Sequence, residues 1–269
     1  MALSGKKLKN IYNDLLETDN NNSGLSTTTK TIKTGAGNST ALALSTNQLY
    51  TQPAADSTAS FTSTDKDGNA LLTVDSTNDL VKVGSGQVNA TTQYAYFGIG
   101  AAHGDEWAAS THHPIPFNMN SLGSASLQDA ITFGTGTDPA TTFTTADGAG
   151  TDSSQLVPLL WYVHDNITID NIVGFEGGDN AGNDTARMHM YQYTVTSGST
   201  SALTAGAIVA HHHNILNLGT ASSGSEQLYK SVWTVDNADV DAGKVVLAFW
   251  HGTVTSNFSI SVHVKYHIR

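Results

Sequence analysis

The chain of 269 residues contains no cysteine. That excludes a disulfide framework, a thiolate-ligated metal site and cysteine-based catalysis. Proline is scarce, five residues against 25 glycines, which excludes a collagen-like repeat and a proline-rich spacer. Charge is sparse as well: 13% of residues are Asp, Glu, Lys or Arg, about half the usual ~25%. Basic residues are the scarcer sign, 12 against 23 acidic, and a formal net charge of −11 argues against a nucleic-acid-binding surface. No apolar run approaches the ~20 residues needed to cross a bilayer, so membrane insertion is not expected. The opening MALSGKKLKNIYNDLLE lacks the apolar core of a secretory signal, so the expectation is a soluble chain made in the cytoplasm.

What fills the chain is Thr, Ser, Asn, Gly and Ala, with a hydrophobic fraction of 39% that still supports a core. Charge is uneven. Residues 1–50 carry five lysines against Asp14, Glu17 and Asp19, a net of +2, while the remainder carries a net of −13. In Lys6–Thr18 the apolar positions Leu8, Ile11, Tyr12, Leu15 and Leu16 follow i, i+3, i+4, i+7, i+8 spacing, which predicts one amphipathic helix. Asp19–Gly24 is a polar stop. Residues 25–92 read as short strands between polar turns; the best hairpin is TDKDGNALLTVDSTNDLVKVG, an Asp-Gly turn followed by two strands. Large side chains are few there, so one copy buries little and intertwining with identical copies is expected to supply the rest. From residue 93 the strands lengthen and aromatics multiply. In TARMHMYQYTV, Met188 and Met190 share one face and His189, Tyr191 and Tyr193 the other. In FSISVHVKYHI, Phe258, Ile260, Val262, Val264, Tyr266 and Ile268 point one way, a half-buried strand. The expected fold is mainly β. It comprises an anchor helix and stop (1–24), a β-rich stalk or oligomerisation region (25–92) and an antiparallel, jelly-roll-like β sandwich (93–269). Residues 121–154 read as a long loop with few apolar anchors: Leu122, Leu127, Ile131, Phe133 and Phe143.

The STALALS segment and the DGNALLTVDSTNDLVKVG element resemble the stalk region of virion structural proteins of tailed bacteriophages. The stretch LVPLLWYVHDNITIDNIVGFEGG, with the aromatic-rich terminal strands, is similar to trimeric jelly-roll heads on phage fibres. The resemblance spans about residues 25–269 and is one of style, without a catalytic motif. It implies a non-enzymatic virion protein: a homotrimeric appendage of capsid, neck or tail collar, at the virion surface and made in the host cytoplasm. Its implied partners are capsid or tail proteins and host surface glycans. The N-terminal segment is the expected attachment point. Lys6, Lys7 and Lys9 would steer it to an acidic particle, and Leu8, Ile11, Leu15 and Leu16 would retain it. Alternatively, three such helices bundle and seed the trimer. A second reading is a carbohydrate-binding receptor-recognition module using exposed aromatics such as Trp107, Trp161, Trp233 or Trp250.

Chemistry-bearing clusters are few. His211-His212-His213 on a strand places His211 and His213 on one side and His212 on the other. The first two are candidate metal ligands, although an ordinary polar strand face is the plainer reading, and no cofactor is expected. His103, Asp105, Glu106, His112 and His113 lack metalloprotease or zinc spacing and read as a loop packed under Trp107, Pro114 and Pro116. Asp65-Lys66-Asp67-Gly68-Asn69 imitates the start of a calcium loop, but Ser76 stands where the bidentate Glu belongs, so it reads as a turn. Glu176-Gly177-Gly178-Asp179-Asn180, with Asn183 and Asp184, is a better oxygen-rich calcium candidate in a flexible loop.

Overall fold

The computed structural model describes residues 16–18, 25–34, 36–84, 88–103, 111–118, 131–146, 152–179, 185–217, 226–253 and 257–269. The protein is mainly β, and the chain divides into two compact units, residues 1–90 and 91–269. Among the described residues no helix is long and apolar enough to cross a membrane.

The first unit contains two four-stranded antiparallel sheets. One joins β1 (Glu17–Thr18), β2 (Lys30–Lys33), β3 (Ser39–Leu44) and β4 (Leu49–Thr51) in chain order. The other joins β5 (Phe61–Thr64), β6 (Ala70–Asp75), β7 (Leu80–Val83) and β8 (Val88–Asn89) in the same way. The helix expected over 6–18 lies mostly outside the described residues, as do Lys6, Lys7, Leu8, Lys9, Ile11 and Leu15. Its last two positions are not helical. Glu17 and Thr18 pair with Lys33 and Ile32, so the ladder takes the backbone groups that a fraying helix end would leave unsatisfied. Leu16, counted on the apolar stripe, is 61% exposed.

The Asp-Gly hairpin forms between β5 and β6. Asp65 Oδ1 accepts the backbone N–H groups of Asp67 (2.8 Å) and Asn69 (2.9 Å), and Gly68 takes the φ of +86° that the turn requires. The carboxylate thus closes its own turn. At the end of β6, Asp75 accepts from Lys82 Nζ (2.7 Å) and from Asn78 Nδ2 (2.9 Å), contacts that pull its pKa down to about 2.

The second unit is built on two facing antiparallel sheets. The first runs β15 (Glu226–Val232), β12 (Ile167–Asp179), β19 (Asn257–Ile268), β9 (Thr92–His103), with β17 (Asp239–Val240) also against β12. The second runs β10 (His112–Ile115), β18 (Lys244–Thr253), β13 (Thr185–Val195), β14 (Leu203–Asn217), β16 (Thr234–Val235), with β11 (Trp161–Tyr162) also against β18. Their inner faces share one core. Phe97, Ile260, Val262 and Val264 come from the first sheet; Met188, Met190, Val246, Ala248 and Trp250 come from the second.

The outer face of the second sheet is buried too. Tyr191, Tyr193, Val245, Leu247 and Phe249 form a separate core with Ile131, Phe133, Phe143, Leu156 and Leu159. Its cover is residues 131–146 together with α1 (Ser153–Leu156) and the 3₁₀ turn Val157–Leu159. Residues 131–146 are held at both margins by backbone pairing. His112 N–H donates to Gly134 O (2.9 Å) and Phe133 N–H to His112 O (2.8 Å) on one side; Phe143 N–H donates to Leu203 O (2.9 Å) on the other. This part of the expected loop is therefore a cover, and Ile131, Phe133 and Phe143 are its anchors. Two cores also explain why VVLAFW in β18 is apolar without alternation: each parity has its own core to fill.

Candidate functional site

The outer face of the second sheet ends in histidines. Adjacent strands place His112 of β10 opposite His251 of β18, and His189 of β13 opposite both Phe249 of β18 and His211 of β14. His211 and His213 share a face, their rings 4.0 Å apart, while His212 stands opposite Met188. The alternation read from the triplet holds, but the two candidates it singled out have different partners. His211 Nδ1–H donates to Asp236 Oδ2 at 2.6 Å. The ring of His213 instead meets the buried His189, Nε2 to Nε2 at 2.9 Å. Asp138, from the cover, brings Oδ1 to 3.5 Å from His189 Nε2. One ligand atom from each of Asp138, His189 and His213 lies within 4.8 Å of the others.

Burial sets the charge state of this cluster. His189 is fully buried, and the other imidazoles crowd it, so its pKa falls to about 3. His112 is lowered to about 4 by burial and by His251. His213 is lowered by burial and by His211, with Asp138 pulling the other way. At neutral pH His112 and His189 therefore carry lone pairs and no charge. The Nδ1–H of His112 donates to Gly134 O at 3.2 Å, which leaves its Nε2 as the acceptor. That Nε2 is buried and, like Nδ1 of His189, has no hydrogen-bond partner among the described residues. Such unsatisfied buried nitrogens cost stability unless something meets them.

The chain matches no protein-family profile and no curated protein.

Other expected sites fall differently. His112 and His113 do not lie in a loop: they form β10, with their rings on opposite faces, His112 beside His251 and His113 beside Trp250. Strand geometry forces consecutive side chains apart, and the covered sheet buries both. Asp105, Glu106 and Trp107 lie outside the described residues. Trp161, Trp233 and Trp250 are buried in the shared core and are not surface aromatics, because the sheets leave their largest apolar surfaces to the space between them.

The acidic loop expected from Glu176 is largely strand. Glu176, Gly177, Gly178 and Asp179 lie in β12, paired with β15, while Asn180, Asn183 and Asp184 lie outside the described residues. Glu176 points inward and is no exposed calcium ligand. Its Oε1 accepts from Ser231 Oγ–H at 2.7 Å, and Ser231 Oγ in turn accepts from Trp233 Nε1–H at 3.2 Å. Burial pushes its pKa up to about 7. Gly174 makes this arrangement possible: a Cβ there would sit 2.5 Å from Ser231 Oγ and 2.6 Å from Glu176 Oε1.

His189, Asp138 and His251 escaped the sequence reading. His189 was visible only as the polar member of the face holding Tyr191 and Tyr193, and Asp138 as one acidic residue in a polar stretch. No local spacing joins them, since each residue arrives on a different element.

Proposed function

We propose that this chain is a non-enzymatic structural protein of a tailed-bacteriophage virion, a homotrimeric surface appendage. Its N-terminal segment attaches to capsid or tail proteins, the first unit is a β stalk, and the second is a jelly-roll head. The observation that carries the reading is how little apolar core the described residues of the first unit bury. Among its described residues the buried apolar side chains are Ile32 and Ala43, whereas Leu49 is 67% and Leu71 51% exposed, and Tyr50, Phe61, Val83 and Val88 are exposed as well. Apolar burial contributes about 25 cal/mol per Å², against ~1.5 kcal/mol lost per ordered residue, so such a unit falls short of standing alone. Identical neighbours covering those side chains would supply the burial, and a closed assembly would remove the open sheet edges.

The strand order of the second unit supports the head assignment. With its eight principal strands (β9, β10, β12, β13, β14, β15, β18, β19) numbered one to eight, one pairs with eight, two with seven, three with six and four with five, and within the sheets three also lies beside eight and four beside seven. A long antiparallel ribbon rolled into two sheets produces this pairing, and jelly rolls of viral capsid and lectin domains are made so. The net charge of −11 favours no nucleic-acid role. Light scattering of the purified chain should give a mass near three times 28.2 kDa. A monomer at micromolar concentration, with the stalk's β signal intact, overturns the trimer.

The alternative, a glycan-binding receptor-recognition module, has one observation in its favour. A cleft of about 280 Å³ in the second unit is lined by Gln93, Trp161, Tyr162, His164, Asp165 and Tyr266, with Tyr162 half exposed at its rim. The exposed ring of Tyr162, beside the Gln93 amide and the Asp165 carboxylate, suits a sugar. A glycan array on the trimer, repeated with Tyr162→Ala, distinguishes a receptor-binding head from a purely structural one.

A further inference from the structure

Asp138, His189 and His213 come from three separate elements: the cover, β13 and β14. We infer that they bind one divalent transition-metal ion of the zinc type, and that the ion staples residues 131–146 to the sheet beneath. The inference stands apart from the virion reading and does not need it.

Spacing is the first support. Ligands held ~2.0–2.1 Å from a metal lie about 2.9 Å apart in octahedral and about 3.3 Å apart in tetrahedral sites. The two Nε2 atoms are 2.9 Å apart, and Asp138 Oδ1 is 3.5 Å from His189 Nε2. The atoms already stand about where coordination would put them.

Donor chemistry is the second. Two imidazoles and one carboxylate suit zinc, cobalt, nickel or ferrous iron; calcium and magnesium prefer all-oxygen sets. Three protein ligands leave a position for water or a further group.

The surroundings are the third. His189 Nε2 and His213 Nε2 face each other at 2.9 Å, so without an ion one of them must carry a proton between the two, whereas an ion would take both lone pairs. His112, next to His189, ties its own strand to the cover by donating from Nδ1–H to Gly134 O. Its ring meets the His189 ring edge-on, with centroids 5.0 Å apart. The cover is held by aromatic packing and by short backbone ladders at its margins, and the chain has no cysteine to tie it down. A metal joining Asp138 to two strands would do what a disulfide does elsewhere.

The test uses the full chain, stripped with EDTA and titrated with cobalt and then zinc. One cobalt ion per chain should bind, with visible absorption that zinc abolishes, and zinc should raise the melting temperature. His213→Ala and Asp138→Asn change exposed residues and should fold as the parent does by circular dichroism. Each should weaken binding at least tenfold, while His164→Ala, in the cleft, should not. Zinc should also slow hydrogen exchange within residues 131–146 of the parent chain and not in Asp138→Asn. No cobalt uptake at micromolar metal, or uptake unchanged in both ligand variants, overturns the site. Binding without added protection of residues 131–146 overturns the staple.

Discussion

At the scale of single residues, the most informative side chain is Glu176. A carboxyl group facing the shared core, with Ser231 as its hydrogen-bond donor, keeps its proton up to about pH 7 because burial penalises its charged form. Between the ordinary value of 4.5 and about 7, the unfolded chain has released this proton and the folded chain still holds it. Folding then binds a proton that the unfolded state does not, so this group's contribution to stability falls as pH rises through that window, by about 3 kcal/mol in all. Glu176→Gln keeps the shape and removes the titration. Urea unfolding of parent and variant at pH 5 and pH 8 should show the parent losing stability relative to the variant at the higher pH. Parallel behaviour at both values would mean that Glu176 is ionised in the fold. Asp75 is the opposite case. Lys82 and Asn78 favour its charged form, so its contribution is present above its ordinary value of 3.8 and lost as pH falls toward about 2.

Elements matter most where one sheet serves two cores. β18 supplies Val246, Ala248 and Trp250 to the inner core and Val245, Leu247 and Phe249 to the outer one. The cover over the outer core is secured chiefly by aromatic packing. Phe133 stacks on Phe143 (4.9 Å) and meets Phe249 (4.7 Å), and Tyr193 O–H reaches Ala140 O at 2.9 Å. Phe133→Ala should cost about 3–5 kcal/mol, the range for removing a fully buried Phe. The loss should be local: hydrogen exchange should accelerate in residues 131–146 and 152–160 while strands β9, β12 and β19 keep their protection. Uniform acceleration over both sheets would show that the cover and the sandwich unfold as one unit.

At the scale of the whole molecule, the proposed trimeric appendage requires surfaces for its own copies and for a particle. Exposed apolar side chains are not confined to the first unit. Among the described residues β15 ends its sheet, and on it Leu228 is 76% exposed and Val232 is exposed too. The charge asymmetry, +2 over residues 1–50 against −13 over the rest, suits attachment by the N-terminal segment. Because Glu17 and Thr18 pair with β2, the truncation that tests attachment is residues 1–15, which spares that ladder. On the docking reading the shortened chain remains a folded trimer and no longer decorates particles. Undiminished decoration defeats docking, and loss of the trimer shows that the segment seeds assembly instead.

Much of the local structure was legible in the residues alone. The mainly β character, the Asp-Gly hairpin of β5 and β6, the inward parity of Ile260, Val262 and Val264, and the division of His211 and His213 from His212 follow from period-two alternation and turn chemistry. Both are properties of neighbours a few positions apart. Tertiary structure alone decided which surfaces are covered. It turned a polar stretch into the lid of a second core and placed three tryptophans between sheets. It drew Glu176 out of an apparent acidic loop into the interior. It also set Asp138 and His189 beside His213. Those outcomes depend on the register between strands far apart in the chain. A one-residue slip there would turn every side chain to the other face, and no local spacing records that choice.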